Sequence, residues 1–175
     1  MFSQPIRQKR ARSKGFTLIE IMLVMLILSI LAGAMVVNMQ DGHAYVALES
    51  DAETLSAVIQ ATAVYARASH NVCRLVVDQE MREYRVESAA FIDQPFRPVG
   101  EIGVLRRLNN GIDFSDVRKL QPGALDHSRI YFFPDGRSEP AEITLLARNG
   151  ERRLIRIGGL AGPPDVRKGA SSSLD

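Results

Sequence analysis

The pattern of apolar and polar positions divides the chain into three parts with different periods. Residues 21–37 form an apolar run without a charged side chain, and residues 48–66 repeat apolar side chains at helical spacing. Beyond residue 70 apolar and polar residues alternate, as they do in strands that cover one side of a core. The pattern therefore predicts an α+β protein in which one long N-terminal helix precedes a β-rich domain.

The first helical part is long enough to cross a lipid bilayer. At a rise of about 1.5 Å per residue, residues 16–37 cover about 33 Å, close to the hydrocarbon thickness of a membrane. Residues 1–15 carry Lys and Arg side chains and no acidic one. Because such positive residues stay in the cytoplasm, we expect a single-pass inner-membrane protein with a transmembrane helix at 16–37 and the following domain on the periplasmic side.

The second helical part carries one apolar stripe, with residues alternately four and three positions apart. The stripe consists of Leu48, Ala52, Leu55, Ile59, Thr62 and Ala66. No proline lies between Pro5 and Pro95, so nothing interrupts a helix from about residue 16 to about residue 69. We expect an amphipathic helix at 38–70 whose stripe packs on a sheet. Its opposite side, expected to face solvent, carries Glu49, Asp51, Glu53 and Gln60.

Residues 71–158 are predicted to form the β-rich domain. The predicted strands are residues 73–78, 83–87, 129–133, 143–146 and 154–157. Two turn sequences punctuate them: Pro134-Asp135-Gly136-Arg137, and Asn149-Gly150, a pair favoured in tight hairpins. Many prolines and glycines between residues 89 and 123 predict a long variable loop with a short strand at 104–108. The composition of residues 159–175 predicts a flexible C-terminal tail.

A glutamate stands near the start of the apolar run. A carboxylate inside a membrane costs about 2.5–3.5 kcal/mol on insertion scales and is normally kept only with a partner. Glu20 ends the sequence Lys14-Gly15-Phe16-Thr17-Leu18-Ile19-Glu20, which resembles the processing site of type IV pilins and type II secretion pseudopilins. The resemblance implies that a prepilin peptidase removes the basic leader 1–15 between Gly15 and Phe16, and that Phe16 becomes N-methylated. It also implies that Glu20 acts in assembly by pairing with the N-terminal amine of a neighbouring subunit. The alternative is a simple single-span anchor.

The C-terminal strands extend this resemblance. A strand followed by Phe133-Pro134-Asp135-Gly136-Arg137 and by two further strands is similar to the group that includes type II secretion protein H and the FimT-like minor pilins. This implies a type IV pilin-like fold, in which a long N-terminal transmembrane and amphipathic helix packs on antiparallel β-sheets. Residues 159–164 depart from the group because they lack the Thr-Gly-Arg ending common in its members.

The resemblance implies a minor pseudopilin, a structural subunit of the type II secretion pseudopilus that helps export folded proteins across the outer membrane. Its implied partners are other minor and major pseudopilins in a hetero-oligomer, the prepilin peptidase and the inner-membrane assembly platform. The alternative is a FimT-like minor pilin that binds DNA for uptake through a basic patch. That patch would consist of Arg148, Arg152, Arg153 and Arg156.

Charge weighs against the DNA-binding alternative. The whole chain has a formal net charge of +2, and removal of the five leader cations leaves −3, which weakens the case for a general polyanion-binding protein. We therefore favour the interpretation that the four arginines line the solvent side of a sheet, and we do not expect nucleic acid as a partner.

No pattern in the sequence indicates an enzyme. His43, His70 and His127 lack metal-ligand spacing. Asp126-His127-Ser128 contains the residue types of a catalytic triad, but three adjacent residues do not converge as a triad requires. We expect neither a cofactor nor a metal. Cys73 is the single cysteine, so stability must come from packing rather than from an intrachain disulfide.

Overall fold

The computed structural model describes residues 17–121, 126, 128–160 and 162–169, with the side chains of residues 34–42 left aside. The chain separates into two compact units, Met1–Met39 and Gln40–Asp175. The predicted leader 1–15 and the predicted cleavage residues Gly15 and Phe16 lie outside the described residues. Helix α1 runs over Leu18–Ser69, in agreement with the long helix that the sequence predicts.

Local hydrogen bonds define both ends of α1. The backbone N–H of Glu20 donates to the hydroxyl of Thr17 at 3.3 Å and to its carbonyl at 3.1 Å. This Thr-x-x-Glu arrangement satisfies a backbone donor that the helix leaves unpaired. In the last turn the Nε of Arg67 donates to the carbonyl of Ala63 at 3.4 Å, where a cation is favourable. His70 follows with a φ of 55° and ends the helix in the left-handed conformation.

In the first unit, large apolar side chains occur on every side of the described turns of α1. Every large apolar side chain between residues 18 and 31 is at least 46% exposed. Within the described residues, no helix combines the length and the hydropathy required to cross a membrane. The transmembrane helix at 16–37 therefore stays a prediction.

In the described part of the second unit, nine strands form two antiparallel sheets. Sheet A has the order β3-β2-β1-β6, with β4 also paired to β2. Its strands are β1 (Val72–Asp78), β2 (Glu83–Ala89), β3 (Arg97–Pro98), β4 (Arg106–Arg107) and β6 (Arg129–Phe132). Sheet B has the order β5-β7-β8-β9. Its strands are β5 (Ile112–Lys119), β7 (Ala141–Ala147), β8 (Arg152–Ile157) and β9 (Asp165–Lys168).

The core of the second unit joins α1 to both sheets. Each of the six residues of the predicted apolar stripe, from Leu48 to Ala66, is 0–1% exposed, which confirms the stripe. The five apolar residues of the stripe share one cluster with buried side chains of both sheets. The rings of Tyr84 in β2 and Phe114 in β5 meet edge to face at 6.3 Å, so the two sheets also contact each other directly.

Both predicted turn sequences occupy the places assigned to them. Gly150 has a φ of +85° in the turn that joins β7 to β8, and Gly136 has a φ of +84° in the turn after β6. Only glycine adopts such angles without strain. The backbone N–H of Phe133 donates to the carbonyl of Arg137 at 2.8 Å and closes the second turn.

Strand β5 corrects the prediction of a long loop between residues 89 and 123. It is an eight-residue edge strand of sheet B, whereas the strand expected at 104–108 is reduced to β4. A bulge shifts the pairing between Phe114 and Asp116, so the buried residues Ile112, Phe114 and Val117 are spaced unevenly. Because a bulge breaks the two-residue period, the alternation test does not detect this strand.

Within the predicted flexible tail at 159–175, strand β9 corrects the prediction for Asp165–Lys168, whereas residues 161 and 170–175 lie outside the described residues. It pairs with β8 from Arg153 opposite Lys168 to Arg156 opposite Asp165. All four of its residues are exposed, so it has no buried side and therefore no apolar period. Its place is defined mainly by backbone pairing with β8.

The predicted solvent side of α1 also needs correction. Glu53 and Gln60 are exposed, but Asp51 is only 7% exposed. Asp51 lies three residues after Leu48 and four before Leu55, at the border of the buried stripe, where helical geometry turns it toward the sheets.

Candidate assembly interface

Glu20 is the one predicted processing or assembly residue that the structure describes. It lies in the first turn of α1 and is exposed. The free N–H groups of a first turn favour a nearby negative charge. An exposed carboxylate at this place can accept hydrogen bonds from a cationic group of another molecule.

The four arginines of the candidate basic patch do not share one surface. Arg148 is exposed in the turn before β8, and the other three lie on β8. Because successive side chains of a strand point to opposite sides, Arg152 and Arg156 lie on the outer side of sheet B and Arg153 on its inner side. The expected row of arginines on one solvent side is therefore wrong for Arg153.

Arg153 joins sheet B to α1. Its side chain is 4% exposed, and its Nε donates to the carboxylate of Glu49 at 2.9 Å. Its guanidinium lies 5.2 Å from the ring centroid of Tyr45, and Lys168 of the adjacent strand lies 5.9 Å from the same ring. Both contacts fall within the range of cation–π attraction. Arg153 thus has a structural role, and Glu49, expected to face solvent, is its partner.

Arg156 belongs to a row of paired charges across sheet B. Glu142 in β7 lies opposite Arg118 in β5 and Arg156 in β8. It is 3% exposed, and its two oxygens accept hydrogen bonds from Arg118 at 2.5 Å and from Arg156 at 2.8 Å. The bonds from Arg118 lower the pKa of Glu142 more than burial raises it, and Arg156 lowers it further. Asp165 lies opposite Arg156 in β9, so the row alternates in sign.

Sheet A has a similar arrangement on its outer side. Glu87, which is 6% exposed, accepts hydrogen bonds from Arg74 and Arg85, each at 2.7 Å. Burial alone would raise the pKa of Glu87, but the bonds from Arg85 and Arg74 outweigh burial and lower it. The guanidinium of Arg74 also stacks 4.0 Å above the ring of Phe96. Arginines on both sheets are thus used to pair with buried glutamates.

The described part of the chain shows no grouping of metal ligands. No three His, Cys, Asp or Glu side chains among the described residues are grouped so that they could hold a metal ion. Cys73 is fully buried, and burial raises the pKa of its thiol to about 11. A thiol with so high a pKa is a poor nucleophile at neutral pH.

Sequence reasoning did not assign a structural role to two residues that position the candidate site residues. Thr17 caps α1, and the signal for it is the Thr-x-x-Glu spacing to Glu20. Glu49 pairs with Arg153 across 104 positions of sequence, and no local signal predicts so distant a pair.

Comparisons with known proteins agree with this architecture. Residues 10–36 match the family described as the prokaryotic N-terminal methylation motif. No curated protein sequence matches the chain. A structure of the minor pseudopilin EpsH from the type 2 secretion system of Vibrio cholerae matches with a TM-score of 0.54 and 11% identity, over 72% of this chain and 98% of EpsH.

Two further structures are similar to the chain. A second crystal structure of EpsH matches with a TM-score of 0.51 and 10% identity, over 74% of this chain and 97% of EpsH. The type IV minor pilin FimU of Pseudomonas aeruginosa matches with a TM-score of 0.48 and 13% identity, over 72% of this chain and 90% of FimU.

The protein therefore has a type IV pilin-like fold, which confirms the predicted fold class. It carries the prokaryotic N-terminal methylation motif at the start of that fold.

Proposed function

We propose that this protein is a minor pseudopilin, a structural subunit of the type II secretion pseudopilus that helps export folded proteins across the outer membrane. The observation that carries the proposal is the order of features along the chain. A methylation motif at residues 10–36 leads into α1, and α1 continues into a two-sheet domain similar to EpsH over 98% of the EpsH chain.

The proposal includes processing by a prepilin peptidase. Cleavage between Gly15 and Phe16 removes the leader, and methylation then modifies the new N-terminus at Phe16. Glu20 becomes the fifth residue of the mature chain. An N-terminal amine of a neighbouring subunit supplies the cation that a carboxylate in an apolar segment requires.

The proposal also places the mature protein in the inner membrane, with the leader side in the cytoplasm and the β-rich domain in the periplasm. The exposed apolar side chains of residues 18–31 support this, because a helix that is apolar all round needs lipid or other helices around it. Sibling pseudopilins provide those helices in the filament, and the inner-membrane assembly platform provides the place of assembly.

The paired arginines support the structural role over DNA uptake. Arg153 is buried against Glu49, and Arg156 is held by Glu142. A phosphate backbone would have to compete with these carboxylates for Arg153 and Arg156, which weakens the candidate patch. We therefore retain the pseudopilin as the single proposed function.

Replacement of Glu20 tests the assembly role. We expect the full-length Glu20→Ala variant to remain in the membrane fraction, because the apolar run is unchanged, but to lose co-purification with sibling pseudopilins. Ser29→Ala is the matched control on the same apolar segment and should co-purify normally. Undiminished recovery of siblings with Glu20→Ala would show that this residue does not act in assembly.

Two further measurements test the processing step and the choice between a secretion system and a type IV pilus. Mass spectrometry of the mature protein should show an N-methylated Phe16 as the first residue, and an intact residue 1–15 segment would contradict the processing step.

Deletion of the gene should reduce secretion of folded proteins and leave DNA uptake unchanged. The opposite result would assign the protein to a type IV pilus.

A further inference from the structure

The outer side of sheet B carries one acid and one base at each of its two edges. The edge strand β5 contributes Asp116 and Arg118, and the edge strand β9 contributes Asp165 and Arg167. All four residues are exposed. The Nε of Arg118 lies 3.8 Å from Oδ2 of Asp116, and the Nε of Arg167 lies 2.6 Å from Oδ2 of Asp165. Each edge is therefore a short dipole that points along the strand.

Strand pairing arranges these charges in two rows that cross the sheet. The first row is formed by residues paired across the four strands and consists of Arg118, Glu142, Arg156 and Asp165. The second row is formed in the same way and consists of Asp116, Thr144, Leu154 and Arg167. In both rows the charge at the β5 edge is opposite in sign to the charge at the β9 edge. The two edge dipoles therefore run in opposite directions.

The middle of the second row is uncharged. Thr144 and Leu154 are half-buried on the outer side of the sheet, and so is Leu146, two residues further along β7. A less charged centre with a charged, exposed rim is the arrangement found in protein interfaces. The outer side of sheet B thus has the character of a docking face for another protein surface.

We propose that this face binds the same face of a second copy of this chain, about a two-fold axis that runs parallel to the strands over the line between β7 and β8. Under this symmetry β5 of one copy lies over β9 of the other. Asp116 then faces Arg167 of the second copy, and Arg118 faces Asp165. Because the interface is isologous, each of these contacts occurs twice.

The contacts join charges that are already paired within each chain. Asp116 and Arg118 of one copy meet Arg167 and Asp165 of the other, so four charges of alternating sign form one network at each edge. An isolated exposed ion pair contributes at most about 1 kcal/mol, whereas charges held in a network contribute more reliably. Sheets that pack face to face also keep their strands nearly aligned, as this axis requires.

Charge defines the register along the strands. If one copy slips by two residues, the second row of one copy faces the first row of the other. Asp116 then faces Asp165, and Arg167 faces Arg118, and like charges repel. The contact is therefore favourable only when each row faces its own counterpart.

The direction of the two copies separates this arrangement from its alternative. A two-fold axis across the strands would also bring Asp116 to Arg118 of the second copy, but it would point the two domains in opposite directions. An axis along the strands keeps residue 40 of both copies at the same level, as two chains anchored in one membrane require. For this choice of direction the inference rests on the proposed function.

Exchange of charges in the full chain tests the contact. Sedimentation equilibrium in detergent micelles should show that Asp116→Arg and Arg167→Asp each raise the Kd of the dimer about tenfold, because two attractive contacts become repulsive. The double variant should recover the wild-type Kd, since the two exchanged residues face each other. Glu53→Arg makes the same charge change on the exposed side of α1 and should leave the Kd unchanged.

Three outcomes would overturn the proposal. They are a wild type that stays monomeric at about 100 μM, a dimer whose Kd neither single variant changes, and a double variant as weak as the single ones. The last outcome would indicate the axis across the strands, in which positions 116 and 167 do not meet. If the self-contact fails while Glu20→Ala loses its siblings, the pseudopilin function stands. If the charge exchange behaves as expected while Glu20→Ala keeps its siblings, the assembly role of Glu20 fails and the self-contact stands.

Discussion

The carboxylate of Asp51 in α1 holds both the backbone and the side chain of Asn109, which lies 58 positions later in the chain. The backbone N–H of Asn109 donates to Oδ2 of Asp51 at 2.8 Å, and its Nδ2 donates to Oδ1 at 2.8 Å. Asn109 stands between β4 in sheet A and β5 in sheet B. One buried carboxylate thus ties the helix to the point where the chain passes from one sheet to the other.

We expect Asp51→Ala to lower the free energy of unfolding by about 1–3 kcal/mol, because two donors of Asn109 lose their acceptor. Urea unfolding of the full chain in detergent, followed by tyrosine fluorescence, measures the change. Glu53→Ala is the matched control, since Glu53 is exposed two residues further along the same helix, and it should shift stability by no more than about 0.5 kcal/mol. Equal losses in the two variants would contradict the role assigned to Asp51.

As pH falls, the titrations of Asp51 and Glu142 should change the free energy of unfolding in opposite directions. Burial raises the pKa of Asp51 more than its bonds to Asn109 lower it. The stability that arises from this raised pKa is therefore full below the ordinary value of 3.8 and is lost as pH rises through the raised pKa. The pKa of Glu142 is lowered, so its contribution is full above the ordinary value of 4.5 and is lost as pH falls through the lowered pKa.

Glu142→Gln tests the acid dependence on sheet B. At pH 7 the variant should be less stable than the wild type by about 1–3 kcal/mol, because a buried carboxylate bonded to Arg118 and Arg156 is lost. The difference should shrink as pH falls below the ordinary pKa, as measured by urea unfolding at a series of pH values. Asp165→Asn, at an exposed pair with Arg167, is the control and should cost less than about 1 kcal/mol. A pH-independent difference for Glu142→Gln would show that its charge is not responsible.

The sequence predicts those parts of the fold in which burial follows a regular period. The stripe from Leu48 to Ala66 is correct at every position because each residue faces the same core. Strand β5 is missed because its bulge shifts the period, and β9 is missed because neither of its sides is buried. Periodicity reports burial, so strands defined mainly by backbone pairing leave little trace in it.

The candidate site follows the same logic. Glu20 and its cap Thr17 belong to a local motif, and a local motif is readable from sequence. Arg153 and Arg156 look equivalent in the sequence, yet one is buried against α1 and the other pairs on the outer side of sheet B. That difference depends on Glu49 and Glu142, which are brought near only by the fold.

The loop between β3 and β4 requires glycine at position 103. A Cβ added there would lie 2.1 Å from the backbone nitrogen of Val99 and 2.8 Å from the carbonyl oxygen of Val86. These two backbone groups are hydrogen-bonded to each other and cannot move aside easily. We expect Gly103→Ala to cost about 1–3 kcal/mol of unfolding free energy. Gly159→Ala is the control, because nothing lies within 4 Å of its added Cβ. Similar stability of the two variants would show that the loop relaxes freely.

DNA binding gives the last test, because it separates a structural set of arginines from a binding surface. Since Arg153 and Arg156 are held by carboxylates, we expect the full chain to leave a labelled DNA duplex unshifted at micromolar protein and about 150 mM salt. Any weak binding at lower salt should decrease in Arg148→Gln, since Arg148 is exposed in the turn before β8. Glu53→Gln is the charge-change control away from the four arginines. A salt-dependent shift that persists near physiological salt and is lost in Arg148→Gln would favour the nucleic-acid role over the structural one.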